Sequence, residues 1–172
     1  AIIAPHPDDD ILCCGGIIYK NSNNVKVIFI TDGSKGSVKR EEQGKKLAII
    51  RRDEAYRALE RLGVKNKDNI IFLDNEDGSV IRNRSIVYGQ LYSLLQDDNI
   101  EAIYFPSPFE LHPDHSETGK IVLSIANKLK RKGINLYMYA IHVPIFPTKQ
   151  PSVMYKLLVE LKIKFTWRYI CF

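Results

Sequence analysis

The 172 residues carry 45% hydrophobic and 26% charged side chains and a net charge of +5. That balance suits one soluble globular domain over residues 1–172 with a sizeable core. No apolar run approaches the roughly 18 residues a membrane helix needs and no cleavable signal is visible, so no membrane segment is expected within this stretch of chain. The densest basic stretch, Lys128-Leu129-Lys130-Arg131-Lys132, falls at the expected C-terminal end of a helix, where cations complement the dipole. A nucleic-acid footprint would want a longer stripe interleaved with exposed aromatics, so no nucleic-acid partner is expected. A positive balance would still help attract an anionic small substrate.

The first expected strand, Ile2-Ile3-Ala4, runs straight into Pro5-His6-Pro7-Asp8-Asp9-Asp10. Ala1 is not a methionine and already lies in this run, so a preceding segment is expected, which leaves membrane anchoring and a signal open. A helix carrying Cys13-Cys14 and Gly15-Gly16 follows. The vicinal cysteines read as small apolar packing residues, since thiolate sites usually space cysteines as C-x₂-C, and the glycines as a close helix–sheet contact. With Cys171 as the third, the cysteines form no disulfide framework and fit a reducing, cytoplasmic compartment.

Val25 to Thr31 reads as the second strand, followed by the turn-rich Asp32-Gly33-Ser34-Lys35-Gly36-Ser37. Lys39 to Leu62 carries Leu47, Ile50, Ala55, Ala58 and Leu59 at near-helical spacing, with Gly63 placed to end the helix. Ile70 to Leu73 is a third strand and Ser85 to Gln96 an amphipathic helix. Ala102 to Phe105 is the fourth strand, Ser116 to Lys132 a helix closed by Gly133, and Asn135 to Val143 a fifth strand. A helix over Val153 to Leu161 is expected, then an apolar tail from Phe165 that reads as a last strand, an oligomer interface or the cut end of a longer chain. The alternation predicts an α/β, Rossmann-like, doubly wound and mostly parallel sheet of order 3-2-1-4-5, with helices on both faces.

In that order strands 1 and 4 are neighbours and the winding reverses between them, which is where such folds bind ligands. His6-Pro7-Asp8-Asp9-Asp10 leaves strand 1, and His112-Pro113-Asp114-His115 lies on the loop after strand 4. The bland reading makes the aspartates turn residues and helix caps, but two such clusters in equivalent positions argue for chemistry. Imidazole and carboxylate ligands suit zinc or ferrous iron, and the remaining carboxylates suit proton transfer. Arg51 lies close to the apolar face of its helix and needs a partner. Asp32, Asp10 or Glu54 would make it structural, and a group on a bound substrate would make it functional.

These motifs resemble the LmbE-like (PIG-L type) zinc-dependent N-acetylglucosaminyl deacetylases. Their first motif corresponds to Pro5-His6-Pro7-Asp8-Asp9-Asp10 and the later one to His112-Pro113-Asp114-His115. Thr31-Asp32-Gly33, and Arg51 and Glu54 leading to Leu62-Gly63, match the segments between. The resemblance implies a hydrolase that removes acetyl from an N-acetyl sugar conjugate, a small-molecule partner. It implies Zn²⁺, or another divalent metal such as Fe²⁺, held by His6, Asp9 and His115. It makes Asp8 the general base, and His112 the group that stabilises the oxyanion or protonates the amine. Asp114 would orient His112, and Arg51 would bind substrate. The family's usual glutamate is here Asp10, which predicts looser bracing of the metal loop.

Two other readings stay on the table. A ferrous-iron oxygenase also uses two histidines and a carboxylate, but those enzymes are mostly antiparallel β proteins. A non-catalytic, metal-dependent sugar-binding module would not need Asp8 and His112. The identity of the sugar conjugate and the oligomeric state, a homo-oligomer included, are left open.

Overall fold

A computed structural model describes residues 1–131, 133–141 and 164–165. The elements in chain order are β1 (Ile2–Ala4), α1 (Asp9–Lys20), β2 (Val27–Thr31), α2 (Lys45–Arg61), β3 (Ile70–Asn75), α3 (Arg84–Leu94), β4 (Ala102–Pro106), α4 (Pro113–Arg131), β5 (Asn135–Tyr139) and β6 (Lys164–Phe165). The strands form one sheet of order β3-β2-β1-β4-β5-β6, with every pair parallel. The expected 3-2-1-4-5 core is therefore present, extended at one edge by β6, which ends on Phe165, the first residue of the expected apolar tail; the rest of that tail lies outside the described residues. The expected helix over Val153 to Leu161 lies outside the described residues.

The alternation of strand side chains explains why both faces carry helices. Ile3, Ile28, Ile30, Ile103 and Phe105 pack with Val87 and Leu91 of α3 and Ile121, Val122 and Ile125 of α4. Their chain neighbours Ile2, Ala4, Val27 and Phe29 point the other way, onto Cys14 and Ile18 of α1 and Ala55 and Leu59 of α2. A parallel sheet buried on both faces needs such unbroken apolar runs. Cys14 is a buried packing residue, as expected of the vicinal pair.

α2 starts six residues later than the sequence pattern suggests. Gly44, at φ +105°, immediately precedes it, and Arg40–Glu42 form a separate 3₁₀ turn. At the other end Gly63, at φ +92°, stops the helix in the left-handed conformation that glycine adopts without penalty. Among the described residues, no helix is long and apolar enough to cross a membrane.

Candidate metal centre

His6 leaves β1 in a loop pinned from β2, where Thr31 donates both its backbone N–H (3.0 Å) and its hydroxyl (2.8 Å) to the Pro5 carbonyl. Asp9 opens α1 and accepts from the His6 backbone N–H at 2.8 Å. Across the switch point, the first turn of α4 carries Asp114 and His115. Gly119 lets that helix sit directly on the end of β4: a Cβ there would fall 2.5 Å from the Pro106 carbonyl oxygen and 2.7 Å from the Pro108 nitrogen. The close helix–sheet approach expected of Gly15-Gly16 is thus made by Gly119. Gly16 is exposed, and a Cβ on Gly15 would meet only Ile11 of its own helix.

The two loops bring His6 Nδ1, Asp9 Oδ2 and His115 Nε2 into a triangle. Its sides are 3.3 Å (His6 to Asp9), 3.2 Å (Asp9 to His115) and 3.1 Å (His6 to His115). Donors about 2.0–2.2 Å from one zinc ion stand roughly 3.3 Å apart in a tetrahedral site, so these residues fit a divalent metal. Asp9 and His115 are buried. His112 stands half-buried beside them, its ring edge-on to His6 with centroids 4.7 Å apart. A ring nitrogen from each of the three histidines falls within 4.8 Å of the others.

Burial alone would make both triangle histidines weaker bases, but the carboxylates outweigh it. His6, facing Asp114, Asp77 and Asp9, is held at about 11, and His115, facing Asp9 and Glu110, at about 9. Burial likewise opposes ionisation of Asp9, yet the His115 and His6 imidazoles keep its carboxyl well below the usual range. His112 is pushed the other way, downward, by burial and by the charges on His6 and His115. A metal would displace the ring protons on the triangle and take over their charge.

Around the triangle lie carboxylates that fix the rings. His6 turns Nε2 towards Asp77 Oδ1 and Asp114 Oδ2, each at 3.3 Å. Asp114 also accepts from the backbone N–H groups of Gly78 (2.7 Å) and Val80 (3.2 Å). Expected to orient His112, Asp114 also engages His6 and the loop after β3, because α4 presents it towards that loop. The sequence reading missed Asp77. It sits in a turn with no motif of its own, and only its place beyond a strand end, before Gly78, could have signalled it.

Arg51 also differs from expectation in its partner, which is neither Asp32, Asp10 nor Glu54. Its Nη2 donates to Asp8 Oδ2 at 2.7 Å and to the Pro7 carbonyl at 3.0 Å. The guanidinium threads the loop after β2 so tightly that a Cβ on Gly33 would lie 2.9 Å from Arg51 Nε, and one on Gly36 2.8 Å from Nη1. Its chain neighbour Arg52 pairs with Asp74 and lies over the Phe72 ring at 4.2 Å.

Asp10 is buried, and among the described residues no hydrogen-bond donor of good geometry reaches either carboxylate oxygen. Burial, reinforced by the charges of Asp9 and Asp8, pushes its carboxyl up to about 7 against the partial help of N–H groups at the helix start. His6, Asp8, Asp9, Arg51, Asp77 and His112 border a cavity of about 500 Å³ whose wall also includes Gly33, Lys35 and Gly36. A space of that size takes a small-molecule ligand.

A family model described as GlcNAc-PI de-N-acetylase matches residues 1–126. Diacetylchitobiose deacetylase from Thermococcus kodakarensis is 32% identical over 123 residues, 68% of this chain and 45% of that protein. The chain thus spans less than half the length of that curated relative. Among solved structures, N,N'-diacetylchitobiose deacetylase from Pyrococcus horikoshii aligns with a TM-score of 0.65 at 28% identity, covering 94% of this chain and 67% of that one. The A40926 pseudoaglycone deacetylase shares the fold, with a TM-score of 0.63 at 16% identity over 94% of this chain and 78% of its own. With its two motifs set at the ends of β1 and β4, and a family model matching most of its length, the chain belongs to the PIG-L (GlcNAc-PI de-N-acetylase) family.

Proposed function

We propose that this chain carries the centre of a zinc-dependent hydrolase that removes the acetyl group from an N-acetylglucosamine-containing conjugate. The observation that carries this reading is the triangle of His6 Nδ1, Asp9 Oδ2 and His115 Nε2 at the edge of a cavity that Asp8 and His112 also border. The names of the relatives support the substrate class. When bound, zinc supplies a Lewis acid that polarises the amide carbonyl and makes water acidic near neutral pH.

The chain's own residues divide the rest of the work. Asp8, held through Oδ2 by Arg51, uses its other oxygen to take a proton from water as the water oxygen attacks the acetyl carbon. His112 donates a hydrogen bond to the developing oxyanion, a charge best stabilised by a donor placed beforehand. As the C–N bond breaks, the proton taken by Asp8 passes to the amine nitrogen, leaving free amine and acetate. Arg51 fixes the base and presents its remaining donors to the sugar conjugate.

Metal-stripped protein is expected to release no amine from a panel of N-acetylglucosamine conjugates, and zinc to restore release. Asp8→Asn should keep zinc and lose about 10²–10⁴ in rate. Zinc-loaded protein that binds these conjugates without hydrolysing any of them would favour a sugar-binding module instead. That second reading rests on the same cavity, and Asp8 and His112 have no role in it.

A further inference from the structure

Glu110 is a carboxylate that neither motif includes, and its side chain is fully buried. It lies on the loop between β4 and α4, which folds back on itself: Phe109 N–H donates to Ser107 Oγ at 3.2 Å and Glu110 N–H to the Ser107 carbonyl at 3.3 Å. The loop is clamped to the exit of β5 twice. Ser107 N–H donates to the Tyr139 carbonyl at 2.7 Å, and Ile141 N–H donates to Glu110 Oε1 at 2.6 Å. The same Oε1 lies 3.7 Å from His115 Nδ1, an ion-pair distance.

His115 turns its other nitrogen, Nε2, into the triangle with His6 and Asp9. Each triangle histidine thus turns one nitrogen inward and the other towards carboxylate, Asp77 and Asp114 at 3.3 Å for His6 and Glu110 at 3.7 Å, an ion-pair rather than a hydrogen-bond distance, for His115. A buried carboxylate is costly unless charge or hydrogen bonds compensate it. A ligating imidazole gains orientation and basicity when its far N–H meets a carboxylate.

We propose that Glu110 is a positioning residue for the metal: it keeps the His115 proton on Nδ1, so that Nε2 presents its lone pair, and it ties that ligand to the end of β5. The proposal deepens the hydrolase reading and rests on its metal assignment. It also extends the working centre to β5, beyond the residues 1–126 that the family model matches.

The test measures zinc affinity by competition with a chromogenic chelator, the visible spectrum of cobalt-loaded protein, and the thermal stability of metal-free protein. Glu110→Gln keeps an acceptor for the Ile141 N–H but removes the charge facing His115. It should weaken zinc binding about 10–100-fold, change the cobalt spectrum and leave metal-free stability near that of the unmodified chain. Glu110→Asp, which keeps the charge but draws it back by one methylene, should weaken zinc less than Glu110→Gln, and it carries the test if the glutamine variant does not fold. Zinc binding at full affinity in both variants would overturn the proposal. So would parallel losses of metal-free stability and affinity, which would make Glu110 a structural clamp alone. His115→Ala as the control separates the two ideas: if it binds zinc like the unmodified chain, the metal assignment itself falls and this role with it.

Discussion

Replacing Asp10 with asparagine should change how stability depends on pH, in a direction fixed by burial. In the metal-free protein the Asp10 carboxyl is raised from 3.8 to about 7. Between those values the folded chain keeps a proton that the unfolded chain has lost, so folded stability falls as pH rises. The slope approaches about 1.4 kcal/mol per pH unit, and a shift of roughly three units makes the full loss on the order of 4 kcal/mol. Below the unfolded pKa both states are protonated and the term vanishes; above the folded value the cost is complete and constant. The asparagine side chain cannot ionise, and its buried amide costs about 1–3 kcal/mol at every pH if it finds no partner. Asp10→Asn should therefore be the less stable protein near pH 4 and should gain steadily on the unmodified chain up to pH 7–8. Urea unfolding of metal-stripped protein at unit pH steps gives the difference, in which His6 and His115 cancel because both proteins carry them. A difference that stays flat from pH 4 to pH 8 would refute the argument and mean that Asp10 is ionised in the fold.

Gly119→Ala should cost about 1–3 kcal/mol or more, because the added methyl meets backbone of the loop after β4 and no rotamer can relieve it. Zinc affinity should fall with it as α4 lifts His115, and unchanged thermal unfolding would show that the helix is less tightly seated. Arg51→Lys exchanges a planar fork for a point charge at Asp8; loosening the base should lower kcat/KM roughly 10–100-fold while zinc content holds, and the weakened charged hydrogen bond should cost at most about 1.5–3 kcal/mol of stability. If stability falls and kinetics do not, Arg51 is a structural ion-pair partner.

The sheet order and the meeting of the two motifs were legible because they depend on period and sequence order alone. Apolar runs of three to five residues between helical patterns leave few topologies, and any of them that puts β1 beside β4 joins His6 to His115. Partner choice was not legible. Arg51 meets Asp8 because Gly33 and Gly36 leave room for a guanidinium, a packing fact invisible in the spacing of either residue. Asp77 and Glu110 carry no motif, since what selects them is the direction of an imidazole ring fixed by another loop. The late start of α2 has a local cause: Gly44 adopts a conformation that a helix cannot contain, which periodicity over Leu47 to Leu62 does not register.

The pairing of β1 with β4, Ile2 opposite Tyr104, also sets an order of events during synthesis. Strand β1 emerges first but sits in the middle of the sheet, so one of its edges waits for about a hundred residues of later chain. Contacts of such long sequence separation form slowly, and a nascent chain displays the unpaired edge in the meantime. The proposed metal ligands straddle that same seam, so an ion would be captured with full denticity only after β4 docks and α4 coils behind it. Metal uptake would then report the closing step of folding, and a truncation that stops short of α4 should give a chain that neither completes its sheet nor loads its ion.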